Sequence, residues 1–214
     1  MGLAHSPSIV TSNLAFTIDA GNVKSYSGSG TIVKDLINGL QGSLVNGVSF
    51  SDGYFLLDGV DDYISFDDNN ALDAASPFCV ELWVYPITTS TLYSKGQYGV
   101  HWNYGLRTSS VRHNNGDYGT GQGYSVTNNV WQSIVVRYDG TKNQVYKNGI
   151  LVADFTPASY SPTQGTGILA IGRAGGSNSE YSNMRVSKFS LYKKLLSSDE
   201  ITQNFNALRG RYGI

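Results

Sequence analysis

The apolar residues of this chain come in short runs, broken by turn signals about every 8–12 residues, the rhythm of an all-β sandwich. Strands are expected at Leu14–Asp19, Tyr54–Leu57, Tyr63–Phe66, Phe78–Pro86, Val100–Leu106, Trp131–Tyr138, Gln144–Lys147, Ile150–Phe155, Ile168–Gly172 and Met184–Tyr192. Between them lie the pairs Asp52-Gly53, Asp58-Gly59, Asp139-Gly140 and Asn148-Gly149. Asn148-Gly149, set between QVYK and ILVADF, is the strongest hairpin signal, because both of its residues tolerate positive φ. Phe78–Tyr85 is largely apolar on both of its alternating faces, which predicts a central strand. One helix stands out near the C-terminus. Ser197 and Glu200 form a capping box, and Ile201, Phe205 and Leu208 make one apolar stripe that Gly210 is placed to stop.

Composition narrows the functions. Charged residues are 14% of the 214, and the net charge is −1. There is no block of five like charges and no basic footprint, so neither nucleic acid nor a membrane surface is an expected partner. No apolar run approaches the length of a membrane span, so no membrane insertion is expected. The opening MGLAHSPSIVTSNLAF has neither a charged n-region nor a long apolar h-region, so no secretory signal peptide is expected. The single cysteine, Cys79, sits in an apolar run with no basic neighbour and reads as a core residue.

Four stretches, in order, resemble the laminin-G-like domains of the concanavalin A-like lectin/glucanase superfamily. They are FLLDGVDDYISF (Phe55–Phe66), FCVELWVYP (Phe78–Pro86), NNVWQSIVVRYDGTKNQVYKNGILV (Asn128–Val152), and the ending from Leu169 to Ala207. The resemblance implies a jelly-roll sandwich of two antiparallel sheets with one short C-terminal amphipathic helix. It gives a single domain over residues 14–214 and places Trp83 and Trp131 in the family's core strands; residues 1–13, with Pro7 and no clear strand pairing, read as an N-terminal arm free to dock elsewhere. Two further stretches, Phe16–Phe50 and Ile201–Ile214, resemble segments of virion structural proteins of large tailed bacteriophages. That resemblance implies a multi-copy or homo-oligomeric virion protein, assembled in the host cytoplasm, with other virion proteins as partners.

The residues that carry chemistry point away from catalysis. A glycosidase needs two carboxylates flanking one bond. The chain has three glutamates; Glu200 belongs to the capping box, and Glu81 has Cys79 and Trp83 two residues to either side. No acid pair is present, so no enzyme is expected. His5, His101 and His113 show no zinc-ligand spacing, and GTGQG (Gly119–Gly123) is a flexible loop and not a phosphate cradle.

Two binding sites are expected. Calcium is the cofactor that the resemblance implies, with Asp19, Asp35, Asn38, Asp58, Asp61 and Asp62 as candidate ligands. The alternative reading of the same residues is side-chain bonding within tight turns, and Ile37 and Leu40 depart from the family's polar loop pattern. Glycans are expected at the segment Tyr93–Tyr124, which concentrates Tyr, Trp, His, Asn and Arg. The candidates there are Tyr98, His101, Trp102, Asn103, Tyr104, Arg107, His113, Asn114 and Tyr118. The functional expectation is a non-enzymatic virion decoration, fibre or tail protein that binds surface polysaccharide. Its alternatives are a purely structural decoration or connector protein using Arg209, Arg211 and Tyr212 as contacts, or a polysaccharide-degrading enzyme.

Overall fold

A computed structural model describes residues 7–97, 101–113, 116–118, 124–157, 166–176 and 179–214. Sixteen strands form two antiparallel sheets among these residues. The first sheet runs β14 (Ile150–Phe155), β13 (Asn143–Lys147), β12 (Gln132–Tyr138), β7 (Phe78–Thr88), β16 (Asn183–Tyr192), β5 (Tyr54–Asp58) and β4 (Ser49–Ser51). β1 (Leu14–Asp19) pairs with the second half of β16. The second sheet runs β11 (Gly116–Tyr118), β10 (Val111–His113), β9 (His101–Arg107), β8 (Thr91–Gln97), β15 (Leu169–Ile171), β6 (Tyr63–Phe66), β3 (Gln41–Val45) and β2 (Ile32–Lys34).

The core lies between the sheets. Val80, Leu82 and Val84 of β7 point into it, with Phe16, Phe55, Phe66, Tyr93 and Phe189 among their partners. β7 lies mid-sheet between β12 and β16, as its two-sided pattern predicts. Asn148 and Gly149 both have positive φ and join β13 to β14 in a primed turn. Asp52 and Gly53 do the same between β4 and β5. The expected elements all form, and short strands with few apolar residues, β2, β3 and β4 among them, add to them.

The outward face of the first sheet carries a second, smaller apolar cluster. α1 (Ser198–Leu208) lies on it, with Ser197 as N-cap and both capping-box hydrogen bonds made. Ile201, Cys79, Val135, Tyr146, Tyr192 and Leu196 pack there, joined by Val10. Burial pushes the Cys79 thiol up to about 12. Residues 7–13 of the expected arm are tied to this helix. Val10 N–H donates to Asn204 Oδ1 (2.7 Å), Tyr192 O–H donates to the Val10 carbonyl (3.1 Å), and Gln203 Nε2 donates to the Ser8 carbonyl (2.7 Å).

Beneath the helix sits a buried opposite-charge network. Glu81 and Lys188 are buried on β7 and β16. Glu81 accepts from Trp83 Nε1 (3.0 Å) and Asn204 Nδ2 (3.1 Å). Lys188 Nζ donates to Thr17 Oγ1 (2.8 Å) and Ser190 Oγ (2.9 Å), and Ser190 stands opposite Glu81 in register. Burial raises the Glu81 carboxyl and lowers the Lys188 amine, and each charge opposes the shift of the other. Removing one member strands the other in a low-dielectric site. Glu81→Leu and Lys188→Met are each expected to lower unfolding free energy by about 3–5 kcal/mol. The double variant should lose clearly less than the sum, because no charge is then left alone. Denaturant unfolding of the three variants checks this.

Candidate functional site

Three passages of the chain between the sheets meet at one rim. They are Asn46–Val48 from β3 to β4, Gly59–Asp62 from β5 to β6, and residues 172–176 and 179–182 from β15 to β16. One hydrogen bond joins the first two passages, and another closes the third on itself. Asn46 Nδ2 donates to the Asp61 carbonyl (2.9 Å), and Ser182 N–H donates to the Gly172 carbonyl (2.8 Å). Asn183 stands opposite Asp58 in the ladder. Gly59 has a φ of +79°, and a Cβ there would lie 2.7 Å from the Asn183 nitrogen. Only glycine fits that crossing.

The rim encloses a concavity of about 360 Å³, lined by Asn46, Gly47, Ser49, Asp58, Asp62 and Asn183, with Leu56 and Leu57 as its apolar side. Asp58 Oδ1 accepts from the backbone of Val60 (2.8 Å) and Asp61 (3.4 Å). Asp62 is 4% exposed. Its Oδ2 accepts from Asp58 N–H (3.2 Å), whereas its Oδ1 is buried with no hydrogen-bond partner. That oxygen faces Gly47, where a Cβ would sit 3.5 Å away in ordinary contact; the φ of +120° is what calls for glycine at that position. Burial raises the Asp62 carboxyl, and the neighbouring carboxylates of Asp58 and Asp61 push it the same way. One oxygen from each of these three acids lies within 4.8 Å of the others.

This donor set fits calcium in its chemistry. Calcium takes hard oxygen ligands, six to eight of them, and tolerates irregular geometry. Asp58, Asp61 and Asp62 would hold it, and an orphaned buried carboxylate oxygen is the group that such an ion relieves. The other three calcium candidates stand apart from this cluster, each with protein partners of its own. Asp35 is buried, and its carboxylate accepts from the backbone N–H groups of Thr17, Ile37 and Asn38 and from Asn38 Nδ2. Asn38 also donates to the Ala15 carbonyl (2.7 Å), so the pair fastens a turn to β1. Asp19 is ion-paired with Arg211 at 2.7 Å and accepts from Gly21 N–H. These groups are held by protein donors, as the turn reading expects.

The glycan candidates divide. Asn103 and Tyr104 are corrected. Both are buried, and they bond to the segment that closes over them. Asn103 bonds both backbone groups of Ala74, and Tyr104 O–H donates to the Leu72 carbonyl. No surface of either is left for a sugar. Arg107 lies on the flank of the rim, ion-paired with Glu180 at 3.0 Å, and Arg112 approaches the same carboxylate at 3.6 Å. His101, Trp102, His113 and Tyr118 lie on strands, but their side chains fall outside the described structure; Tyr98 and Asn114 lie outside the described residues. So does Gly119–Gly123. Trp131 is also corrected: it is half-exposed on the outward face of the first sheet rather than core.

The fold adds residues that sequence spacing did not bring forward. Asn46 and Asn183 line the concavity. Arg173 stacks on Tyr63 at 3.8 Å, with Tyr181 beyond it at 5.9 Å. Asn46-Gly47 is a turn pair of the same type as those singled out above and was the available signal. Asn183 gives none, because it meets Asp58 only through the ladder. Each glutamate has an engagement of its own: Glu81 under the helix, Glu180 on Arg107, and Glu200 in the cap, where Lys194 lies at 2.5 Å. Among the described residues no helix is long and apolar enough to cross a membrane.

Comparison with known proteins places this geometry in context. Residues 58–202, more than half of the chain, match the family model of the concanavalin A-like lectin/glucanases superfamily. No curated protein matches the sequence. Among solved structures, domain 4 of AbnA, a GH43 extracellular arabinanase from Geobacillus stearothermophilus solved with arabinotriose, is similar with a TM-score of 0.72 at 16% identity, over 90% of this chain and 98% of that one. Trypanosoma rangeli sialidase is similar with a TM-score of 0.69 at 17% identity, over 94% of this chain but only 35% of the sialidase. The binding domain of Paraclostridial Mosquitocidal Protein 1 gives a TM-score of 0.69 at 16% identity, over 91% of this chain and 52% of that one. At these identities the likeness is one of fold.

The rim makes a direct prediction. Calcium should raise the melting temperature of the wild-type chain and leave Asp62→Asn unmoved. In chelator, Asp62→Asn should melt at or above the wild type, because it removes a buried negative charge that Asp58 and Asp61 repel. Equal calcium responses from the two proteins would take Asp62 out of the site.

Proposed function

The chain belongs to the concanavalin A-like lectin/glucanases superfamily, and from that premise we propose that it is a glycan-binding module that works without catalysis, holding saccharide hydroxyls at the rim with calcium as its cofactor. The observation that carries this reading is the partnerless Asp62 Oδ1 facing a polar concavity. A sugar hydroxyl or a calcium ion supplies what that oxygen lacks. Asn46, Ser49 and Asn183 offer donors and acceptors at fixed positions, and Leu56 and Leu57 offer an apolar wall for a sugar's C–H surface. The three glutamates are each engaged elsewhere, and the non-enzymatic reading gives the one close carboxylate group, Asp58, Asp61 and Asp62, to calcium rather than to an acid/base pair. The arabinanase domain, solved with arabinotriose, supports a saccharide as the ligand class.

The finer reading is a virion protein of a tailed bacteriophage, present in many copies, with other virion proteins and surface polysaccharide as partners and assembly in the host cytoplasm. It is supported by the resemblance of Phe16–Phe50 and Ile201–Ile214 to phage virion segments. Copies displayed on one particle would turn weak single-site binding into useful avidity. Peptides of this chain are expected in purified virions of a phage that encodes it, and their absence there would end the virion reading.

The glycan reading is tested by an array screen of the purified, multivalently displayed protein, with calcium and then with chelator. Binding that the chelator abolishes is the expected result. Silence in both conditions would favour a structural module without glycan binding, and release of reducing ends from any polysaccharide would overturn the non-enzymatic reading.

A further inference from the structure

The outward face of the first sheet carries a second feature, remote from the acid triad in its chemistry. α1 and the turn after it cover that face only as far as Tyr212, whose ring stacks on Trp83 with centroids 4.4 Å apart. Beyond Tyr212 the face is aromatic and half-exposed. Trp131 touches Tyr212 (4.8 Å), Tyr54 (5.6 Å) and Tyr85 (5.8 Å), the last two edge to face. Arg185 of β16 lies among them, its guanidinium carbon 4.6 Å from the Tyr85 ring centre and 5.4 Å from that of Tyr54.

Arg185 is the informative residue. Its Nε is buried and has no partner. Among the described residues its side chain makes no hydrogen bond and no ion pair; its contacts are with the two rings. Arg107, Arg112 and Arg211 all have carboxylates within 4.0 Å. A guanidinium presents five donors in a fork that matches a carboxylate, and it is normally so paired when partly desolvated. Cation–π contact orients the group and leaves its donors in the ring plane unused. Around it, Trp131, Tyr85 and Tyr54 offer ring surface whose negative faces suit the weakly positive C–H side of a pyranose.

We propose that Arg185, Trp131, Tyr85 and Tyr54 form a second binding site, for an acidic saccharide. The sugar's carboxylate pairs with the Arg185 fork and its ring lies against the aromatic surface. This site needs no metal, in contrast to the rim.

The test is calorimetric titration with a galacturonic acid hexamer and, separately, with the neutral galactose hexamer. Chelator is present throughout, so the rim's calcium does not enter and the two readings fail independently. The acidic hexamer should bind at least about tenfold tighter than the neutral one, the size of one charge-assisted hydrogen-bonded pair. Arg185→Gln should remove that preference, and Trp131→Ala should weaken both ligands. Rising salt should weaken the acidic ligand only. Absence of binding by the acidic hexamer, or equal binding by wild type and Arg185→Gln, would overturn the proposal. So would a wild-type dimer in sedimentation that Arg185→Glu dissociates, which would give the face to a second copy of the chain.

Discussion

A strand that is apolar on both faces must be covered on both, and most of this structure follows from meeting that demand at β7. One face, Val80, Leu82 and Val84, is covered by the second sheet across the core. The other, Cys79, Glu81 and Trp83, is covered by α1 and by residues 7–13. The second cover is not purely apolar. It encloses Glu81 and Lys188, which are stable there because Trp83, Asn204, Thr17 and Ser190 supply hydrogen bonds to both charges. The helix contributes Asn204 to this network and Phe205 to the ring stack on Trp83. The C-terminal segment thus completes the sandwich as a third layer over part of one sheet.

The same arrangement decides where ligands can meet the protein. Surface sealed by the helix, Glu81 included, is unavailable to any substrate. Surface beyond Tyr212 stays open and leaves Arg185 with aromatic contacts alone. At the rim the constraint differs: a two-sheet sandwich obliges the chain to cross between layers, and three crossings are packed into one corner. Crossing backbones need glycine at Gly47 and Gly59, and their acidic turn residues are crowded until one Asp62 oxygen loses every protein donor. That oxygen and the Arg185 guanidinium are complementary cases, an acceptor without a donor and a cation without an anion.

How much of this the sequence disclosed depended on range. Turn pairs and alternating apolar runs are local, so the sandwich, the Asn148-Gly149 hairpin and the capped helix were legible. β2, β3 and β4 were not, since three to five residues with one or two apolar positions give little periodicity. The Asp58–Asp62 cluster was legible as a cluster because its members are neighbours in the chain. Asp35 and Asn38 look the same in sequence, and only the structure separates them, since Asp35 is filled by backbone donors from β1 and its own turn. Asn103 and Tyr104 misled for the opposite reason. Alternation assigns them to opposite faces without saying that a segment about 30 residues earlier closes over both. Trp131 read as core because its stretch fits the family's core strands, yet it lies beyond the helix's cover.

The central claim is that the acid-lined rim is where this domain takes hold of calcium and glycan. Amide chemical-shift mapping during a calcium titration of isotope-labelled protein tests it most directly, because it reports location and not only affinity. The account predicts saturable shifts concentrated at Gly47, Gly59–Asp62 and Asn183, with the turn of Asp35–Gly39 unmoved. Shifts centred on Asp35–Gly39 or on the Asp139–Lys142 turn, or none at all, would contradict it.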